Sequence, residues 1–264
     1  MKMKKILALV LAAVVCLGLL CGCSQKTQEK KLVMATSADY PPFEFHMLDD
    51  SGKDVIVGID VSVAKKIAED MGLELEIMDI SFDNLMTALD KGEADMVIAA
   101  MEKDEKREGS VDFSDAYYTD LPPMILVKAA NTDKFTSLDS FNGLTVGAQT
   151  GTTKEDIVNE QITGAKLLSL STVTDLVNNL VYDKCDALVL DGAVAMQYAQ
   201  TNPDLVVSSV ALGETVSYHV AVAEGDPKGL LEGINASIAA MIADGSVDTF
   251  IDPAQADSDK ALVG

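Results

Sequence analysis

Four short stretches of this 264-residue chain carry residue types that can hold a small charged molecule. Arg107 lies in the run Glu102-Lys103-Asp104-Glu105-Lys106-Arg107-Glu108. An arginine just past the carboxyl end of a buried strand is placed to clamp a carboxylate by two parallel hydrogen bonds. The same charge run also reads as a solvated turn. Gln149-Thr150-Gly151-Thr152-Thr153 precedes a helix expected to begin near Thr153. Free N–H groups at such a helix start bind carboxylate or phosphate, while an ordinary capped Thr/Gly loop uses the same residues. Asp191 stands between an apolar run and a helical pattern. It serves either as a helix N-cap or as the counter-charge for an ammonium. Tyr40 and Phe82, two of 13 aromatics, head loops at one end of the first half. They read as core packing or as an aromatic clamp around a flat or apolar stem.

The elements that must position these residues alternate along the chain. Residues 32–35 read as a strand. Residues 60–71 place Val61, Ala64, Ile67, Ala68 and Met71 at helical spacing, and Gly72 stops the helix. Strand 73–80, helix 82–91 and buried strand 94–100 follow, giving the β-α-β-α-β order of a doubly wound sheet. The second half repeats it, with strand 144–148, helix 173–181, strand 186–190 and helix 192–201. Its helix–strand unit aligns with the first without gaps at an offset of 91: Leu85 with Leu176, Leu89 with Leu180, Asp95 with Asp186, Val97 with Leu188, Ile98 with Val189. Open α/β sheets bind ligands beyond the carboxyl ends of their strands. That rule selects residues 36–40, 99–107, 149–153 and Asp191. Residues 117–128 and 214–223 look like crossings between two lobes, and helix 228–244 returns to the first. Lobe one is then 32–120 with 218–264, lobe two is 121–217, and the two crossings form a hinge.

The amino terminus and the composition bound what such a molecule does. Lys2, Lys4 and Lys5 precede an apolar run and then Leu20-Cys21-Gly22-Cys23. That is the layout of an export signal, with the cut expected before Cys23 and residues 23–31 as a polar tether. The apolar run is short and wrongly flanked for a spanning helix. Taking its three lysines from the 20 basic residues leaves 17 against 42 acids, a surface that excludes nucleic acid as a partner. Only Cys185 would remain besides Cys23, so no internal disulfide is expected, and Cys185 reads as a small apolar filler. His46 and His219 stand far apart without metal-site company, so neither a metal nor a cofactor is expected.

Residues 36–45 (TSADYPPFEF), 57–64 (VGIDVSVA), 82–115, 146–153 (VGAQTGTT) and 186–195 (DALVLDGAVA) look like the amino-acid-binding solute-binding proteins of ABC importers. The resemblance spans residues 32–250. It implies a two-lobed, hinge-connected periplasmic-binding-protein fold of type II, an α/β architecture. The amino-terminal layout resembles a bacterial lipoprotein signal, which implies a lipid on Cys23 and an extracytoplasmic protein anchored to the cell membrane. Within the family pattern, Arg107 matches the grip on the ligand α-carboxylate and Gly151 to Thr153 the supporting donors. Asp191 matches the acceptor of the α-ammonium, and Tyr40 and Phe82 the aromatic sandwich. Ser37, Ala99, Ala100, Glu102, Gln149 and Thr152 match further pocket positions. The chain departs from the pattern at Ala99 and Ala100, often serine or glycine, at Glu102, often serine or threonine, and at Ser37, aspartate in several relatives. These departures leave the ligand open between basic and neutral polar. Glu102 facing the cleft would favour a basic one; Glu102 in solvent would favour a neutral one. The expected role is a monomeric receptor that delivers a polar or basic amino acid to an ABC permease. The rival is a dehydratase on the same fold acting on a cyclic amino or keto acid, with Glu102 or Asp191 as general acid.

Overall fold

The computed structural model describes residues 31–263, so the expected leader, the lipid-bearing Cys23 and most of the tether lie outside the described residues. Lys31, expected in the tether, is the first residue of strand β1 (Lys31–Thr36). Strands β2 (Asp39–Tyr40), β3 (Glu44–Leu48) and β4 (Asp54–Val57) form a small antiparallel sheet. Helix α1 (Ile59–Asp70), strand β5 (Glu74–Asp79), a 3-10 turn at Phe82–Asn84, helix α2 (Leu85–Asp90), and strands β6 (Met96–Val97) and β7 (Val111–Thr119) follow. The next block holds β8 (Met124–Lys128), β9 (Thr145–Gln149), α3 (Thr153–Gln161), β10 (Lys166–Leu170), α4 (Val173–Val181), β11 (Ala187–Leu190), α5 (Gly192–Thr201) and β12 (Leu205–Val207). The chain ends with β13 (Ser217–Ala223), α6 (Leu231–Asp244) and α7 (Ser246–Val263).

Two five-stranded sheets carry the two lobes, in the orders β5-β1-β6-β13-β7 and β10-β9-β11-β8-β12. In the first, β1 runs parallel to β5 and β6, and β13 lies antiparallel to β6 and β7. In the second, β9 runs parallel to β10 and β11, and β8 lies antiparallel to β11 and β12. The sheets share one plan, and in each the fourth strand is the one that has just crossed from the other lobe. The offset of 91 is visible in the hydrogen bonds. Asp95 accepts the Val33 N–H at 2.7 Å, and Asp186 accepts the Thr145 N–H at 2.8 Å. Their own N–H groups donate back to Val33 and Thr145, each at 2.8 Å. Each aspartate thus fastens the third strand in its sheet order to the second, β6 to β1 and β11 to β9.

The helices form where apolar spacing demands burial. On α1, Val61, Ala64, Ile67 and Ala68 are buried, and Gly72 follows at φ +65°. On α4, Val173, Leu176, Val177 and Leu180 are buried, and Thr172 caps the helix by accepting the Asp175 N–H at 3.2 Å. Each such leucine contributes about 1.5–3 kcal/mol by leaving water. Cys185 joins this core at 5% exposure, and burial pushes its thiol up to about 12. The strand expected over 94–100 is cut to Met96–Val97. Asp60, itself fully buried on α1, captures the Ala100 N–H at 2.7 Å, and Ala100 bends away at φ +44°. The sheet of β2 to β4 and helix α7 were not foreseen. Helix α7 packs on α1 and β3 of the first lobe and also on α5 of the second, where Gln197 donates to Asp259 at 2.7 Å.

The crossings run side by side. β7 and β13 pair, and beyond them the Asp120 N–H donates to Val216 O at 2.8 Å. The Asp120 carboxylate accepts from Tyr218 Oη at 2.8 Å in lobe one and from the Ala193 N–H at 3.3 Å in lobe two.

One glycine decides how α1 enters this frame. Gly58 sits at φ +130°, and a Cβ there would lie 2.0 Å from the Phe43 carbonyl oxygen. That oxygen and the Pro42 oxygen receive the first N–H groups of α1, from Asp60 and Ile59. Gly58→Ala should therefore cost about 3 kcal/mol, a fall of roughly 6–12 °C in a thermal melt. A Tm within about 2 °C of wild type would refute this account of the turn.

Candidate functional site

The eleven residues selected from the sequence line one cleft: Ser37, Tyr40, Phe82, Ala99, Ala100, Glu102, Arg107, Gln149, Thr152, Thr153 and Asp191. They come from both lobes, beyond the carboxyl ends of β1, β5, β6, β9 and β11, where an open α/β sheet places its ligand. Two lining residues escaped the sequence reading, Glu44 and Lys154. Glu44 looked like one polar residue in an aromatic stretch. Lys154 is, in sequence, one more charged residue in the first turn of α3.

Arg107 is not solvated: its side chain is 11% exposed. Its guanidinium lies over the Phe82 ring, 5.4 Å from the centroid. Nη1 donates to Glu102 O at 2.8 Å, Nη2 donates to Gly151 O at 3.0 Å, and Nε lies 3.2 Å from Asp104. A guanidinium has five N–H groups. Two are engaged in hydrogen bonds and Nε faces Asp104 as an ion pair, which leaves one N–H on each Nη nitrogen for a carboxylate. Phe82 thus supports the cation as well as lining the cleft.

Asp191 occupies the N-cap position of α5 but makes no side-chain cap bond. Its carboxylate turns into the cleft instead and is 2% exposed. Oδ2 accepts from Tyr40 Oη at 2.7 Å, and Oδ1 faces the Lys154 ammonium. Oδ1 meets that ammonium as an ion pair and, as a carboxylate oxygen, has a second lone pair to offer. Glu102 also faces the cleft. It accepts from Thr153 Oγ1 at 2.7 Å and from Lys154 Nζ.

The Gly-Thr-Thr loop is less free than the sequence suggested. The Gly151 N–H donates to Glu155 at 2.9 Å, and Thr152 turns both its N–H and its hydroxyl to Gln149 O. The first-turn N–H groups of Thr153 and Lys154 have no acceptor within their helix. Gln149 Nε2 reaches Ser171 O at 3.1 Å and Asp39 at 3.5 Å. Asp39 in turn accepts the Val173 N–H at 2.5 Å and the Ser37 hydroxyl at 3.1 Å.

Negative charge dominates the region. Burial pushes Asp39 up to about 6 and raises Asp60. Burial and the neighbouring Asp60 hold the Glu44 carboxyl well above its ordinary range, and Glu44 Oε2 has no hydrogen-bond partner. Asp191 and Glu102 share one ammonium and titrate together. Burial raises Asp191, whereas Lys154 outweighs burial at Glu102 and lowers it. Asp39, Glu44, Asp60 and Asp191 therefore protonate more readily in the folded chain than in the unfolded one. The folded protein binds more protons above about pH 4.5, so its stability rises as pH falls through 6 and declines as pH rises. The Glu102 contribution is lost only below about pH 4.5, its ordinary value. Thermal unfolding should give a Tm a few degrees higher near pH 5 than near pH 7.5. Glu44→Gln should flatten that slope. A Tm that falls steadily over the same window would sink the account.

The comparisons bear on this cleft. The family model described as bacterial extracellular solute-binding proteins, family 3, matches residues 32–253. The arginine-binding extracellular protein ArtP of Bacillus subtilis (strain 168) is 38% identical over 209 residues, 77% of this chain and 79% of the relative. An amino acid ABC transporter substrate-binding protein from Streptococcus pneumoniae, solved bound to L-arginine, superposes with a TM-score of 0.82 at 36% identity over 87% of this chain and 95% of that one. An ancestral arginine-binding protein, solved bound to glutamine, gives a TM-score of 0.75 at 36% identity over 83% and 95%. The chain belongs to the bacterial extracellular solute-binding proteins of family 3, which are transport proteins of the cell exterior and not enzymes.

Proposed function

We propose that this protein captures a free polar or basic amino acid between its lobes and delivers it to an ABC permease, as a monomer held at the membrane by a lipid on Cys23. The observation that carries the reading is the meeting of Arg107 and Asp191, from opposite lobes, in one cleft. Moving an ionised carboxylate or ammonium out of water costs several kcal/mol unless it is paired. In this reading Arg107 and the first turn of α3 take the α-carboxylate, with Thr152 and Thr153 beside them. Asp191 takes the α-ammonium, and Tyr40 and Phe82 flank the stem. Ser37, Ala99, Ala100 and Gln149 shape the remaining wall. Hinge motion then divides the chain at 120/121 and 217/218.

The cleft is rich in acceptors. Glu44 Oε2 is unpaired, Asp39 is close by, and Glu102 is turned inward. These favour a ligand with several N–H donors, and the names of the relatives put arginine first. The dehydratase alternative needs a protonated acid beside a leaving hydroxyl. Lys154 holds Glu102 ionised, which is the wrong form for that role.

Calorimetry with the common amino acids tests the reading, and binding of none of them would overturn it. Arg107→Ala should weaken the best ligand by roughly 3–5 kcal/mol, because a buried carboxylate loses its partner. A loss below about tenfold would return Arg107 to a structural role. Cys23→Ala should move the protein from the membrane fraction to the soluble one. Unchanged membrane recovery would dispose of the lipid anchor.

A further inference from the structure

The cleft already contains a cation. The Lys154 side chain is 5% exposed, and its ammonium bridges Glu102 Oε1 and Asp191 Oδ1, one carboxylate from each lobe. Thr153 Oγ1 lies 3.3 Å away as a third neighbour. Burial alone would lower the pKa of this amine, but Asp191 and Glu102 outweigh it, so the net shift is upward and the group stays an ammonium. The open space left beside it is about 10 Å³, room for roughly one water molecule. A primary ammonium therefore sits where the proposed function places the ligand's own.

We propose that Lys154 is a tethered competitor: its ammonium occupies the Glu102–Asp191 pair, and an amino acid binds by displacing it into solvent. This inference rests on the cleft being an amino-acid site. The argument is one of charge and reach. With Lys154 inside, Arg107 and Lys154 balance Glu102 and Asp191. A neutral zwitterion preserves that balance, whereas a basic amino acid adds an uncompensated charge beside a like one. With Lys154 outside, the three that remain, Arg107, Glu102 and Asp191, carry one net negative charge and suit a ligand with one net positive charge. Lysine has a flexible four-carbon stem, and α3 projects it from the first turn at the cleft wall. Asp191 Oδ1 has a second lone pair to offer an incoming ammonium. Lys154 thereby sets both the affinity of the site and its discrimination between basic and neutral ligands.

Two measurements test this. Lys154→Met keeps the stem and removes the charge. Calorimetry should show arginine and lysine binding roughly tenfold tighter or better than to wild type, with glutamine gaining less. Lys154→Arg keeps a competing cation and should give no such gain. The second measurement uses the unaltered protein, so it does not depend on a variant folding. A buried ammonium reacts slowly with an amine-specific acylating reagent, and saturating arginine should speed labelling of Lys154, read by peptide mass spectrometry. Arginine affinity that is unchanged or weaker in Lys154→Met would overturn the inference, because Lys154 would then be a wall residue or a partner of the ligand carboxylate. Labelling that is unchanged or slower with arginine bound would overturn it too. If no amino acid binds to wild type or to either variant, the reading of the cleft itself has failed. If wild type binds and the variants behave alike, only the role of Lys154 has failed.

Discussion

The structure turns on the burial of like charge at the junction of its lobes. Asp60 and Glu44 are fully buried, Asp191 nearly so, and Asp39 and Glu102 stand at the same cleft. Ionised carboxylates in that setting are costly unless each finds a donor or a cation. The surrounding chain is organised around finding them. Asp60 takes the Ala100 N–H and the Tyr117 hydroxyl, each at 2.7 Å. Asp39 takes the start of α4, and Asp191 takes Tyr40 and Lys154. Glu44 is left with an orphan oxygen, and burial beside Asp60 raises its pKa well above the ordinary carboxyl range. The bend at Ala100, the short β6 and the position of Tyr40 all follow from supplying donors to these groups.

The duplicated plan explains why such a cluster arises between lobes and not inside one. Each sheet uses one aspartate, Asp95 or Asp186, to lock its third strand to its second. That lock brings the strand ends of each sheet to one side, so residues 36–40 and 99–107 meet 149–153 and Asp191 across a single gap. The crossing strands are held in register by Asp120, which touches both lobes. A rigid pair of half-sites on a two-strand hinge is a scaffold for capture by closure, because few backbone angles need to change.

Much of this was legible in the residues. The periodicity of 60–71 and 173–181 placed α1 and α4 within a residue or so, because burial and propensity agree there. Topology alone selected the strand ends that form the cleft. Arg107 and Asp191 could each be read two ways. The structure separates the readings: Arg107 is covered by Phe82, and Asp191 leaves its capping role empty. What was not legible depends on distant partners. Lys154 looks solvated until Glu102 and Asp191, 52 residues before and 37 after, are brought beside it. Glu44 alternates with aromatics in a strand whose partner sheet has only two or four residues per neighbouring strand. Helix α7 carries Pro253 and many acids, and its burial comes from two lobes at once.

The groups that would hold a ligand are also the groups that hold the lobes together. Tyr40 reaches across to Asp191, Asp39 to Val173 and Gln149, Glu102 to Thr153 and Lys154, and Arg107 to Gly151. The pair of Lys106 and Asp156 also bridges the lobes, at the exposed rim, and such a pair contributes little. A ligand entering this cleft must therefore exchange some of these bonds as well as add its own. Its affinity is the difference between what it forms and what it replaces, and any residue that satisfies the cleft from within lowers that difference. Selectivity then resides less in the number of contacts offered than in which internal partner each ligand can outcompete. A site filled with carboxylates and supplied with its own ammonium is a site whose preference is set by charge balance before shape.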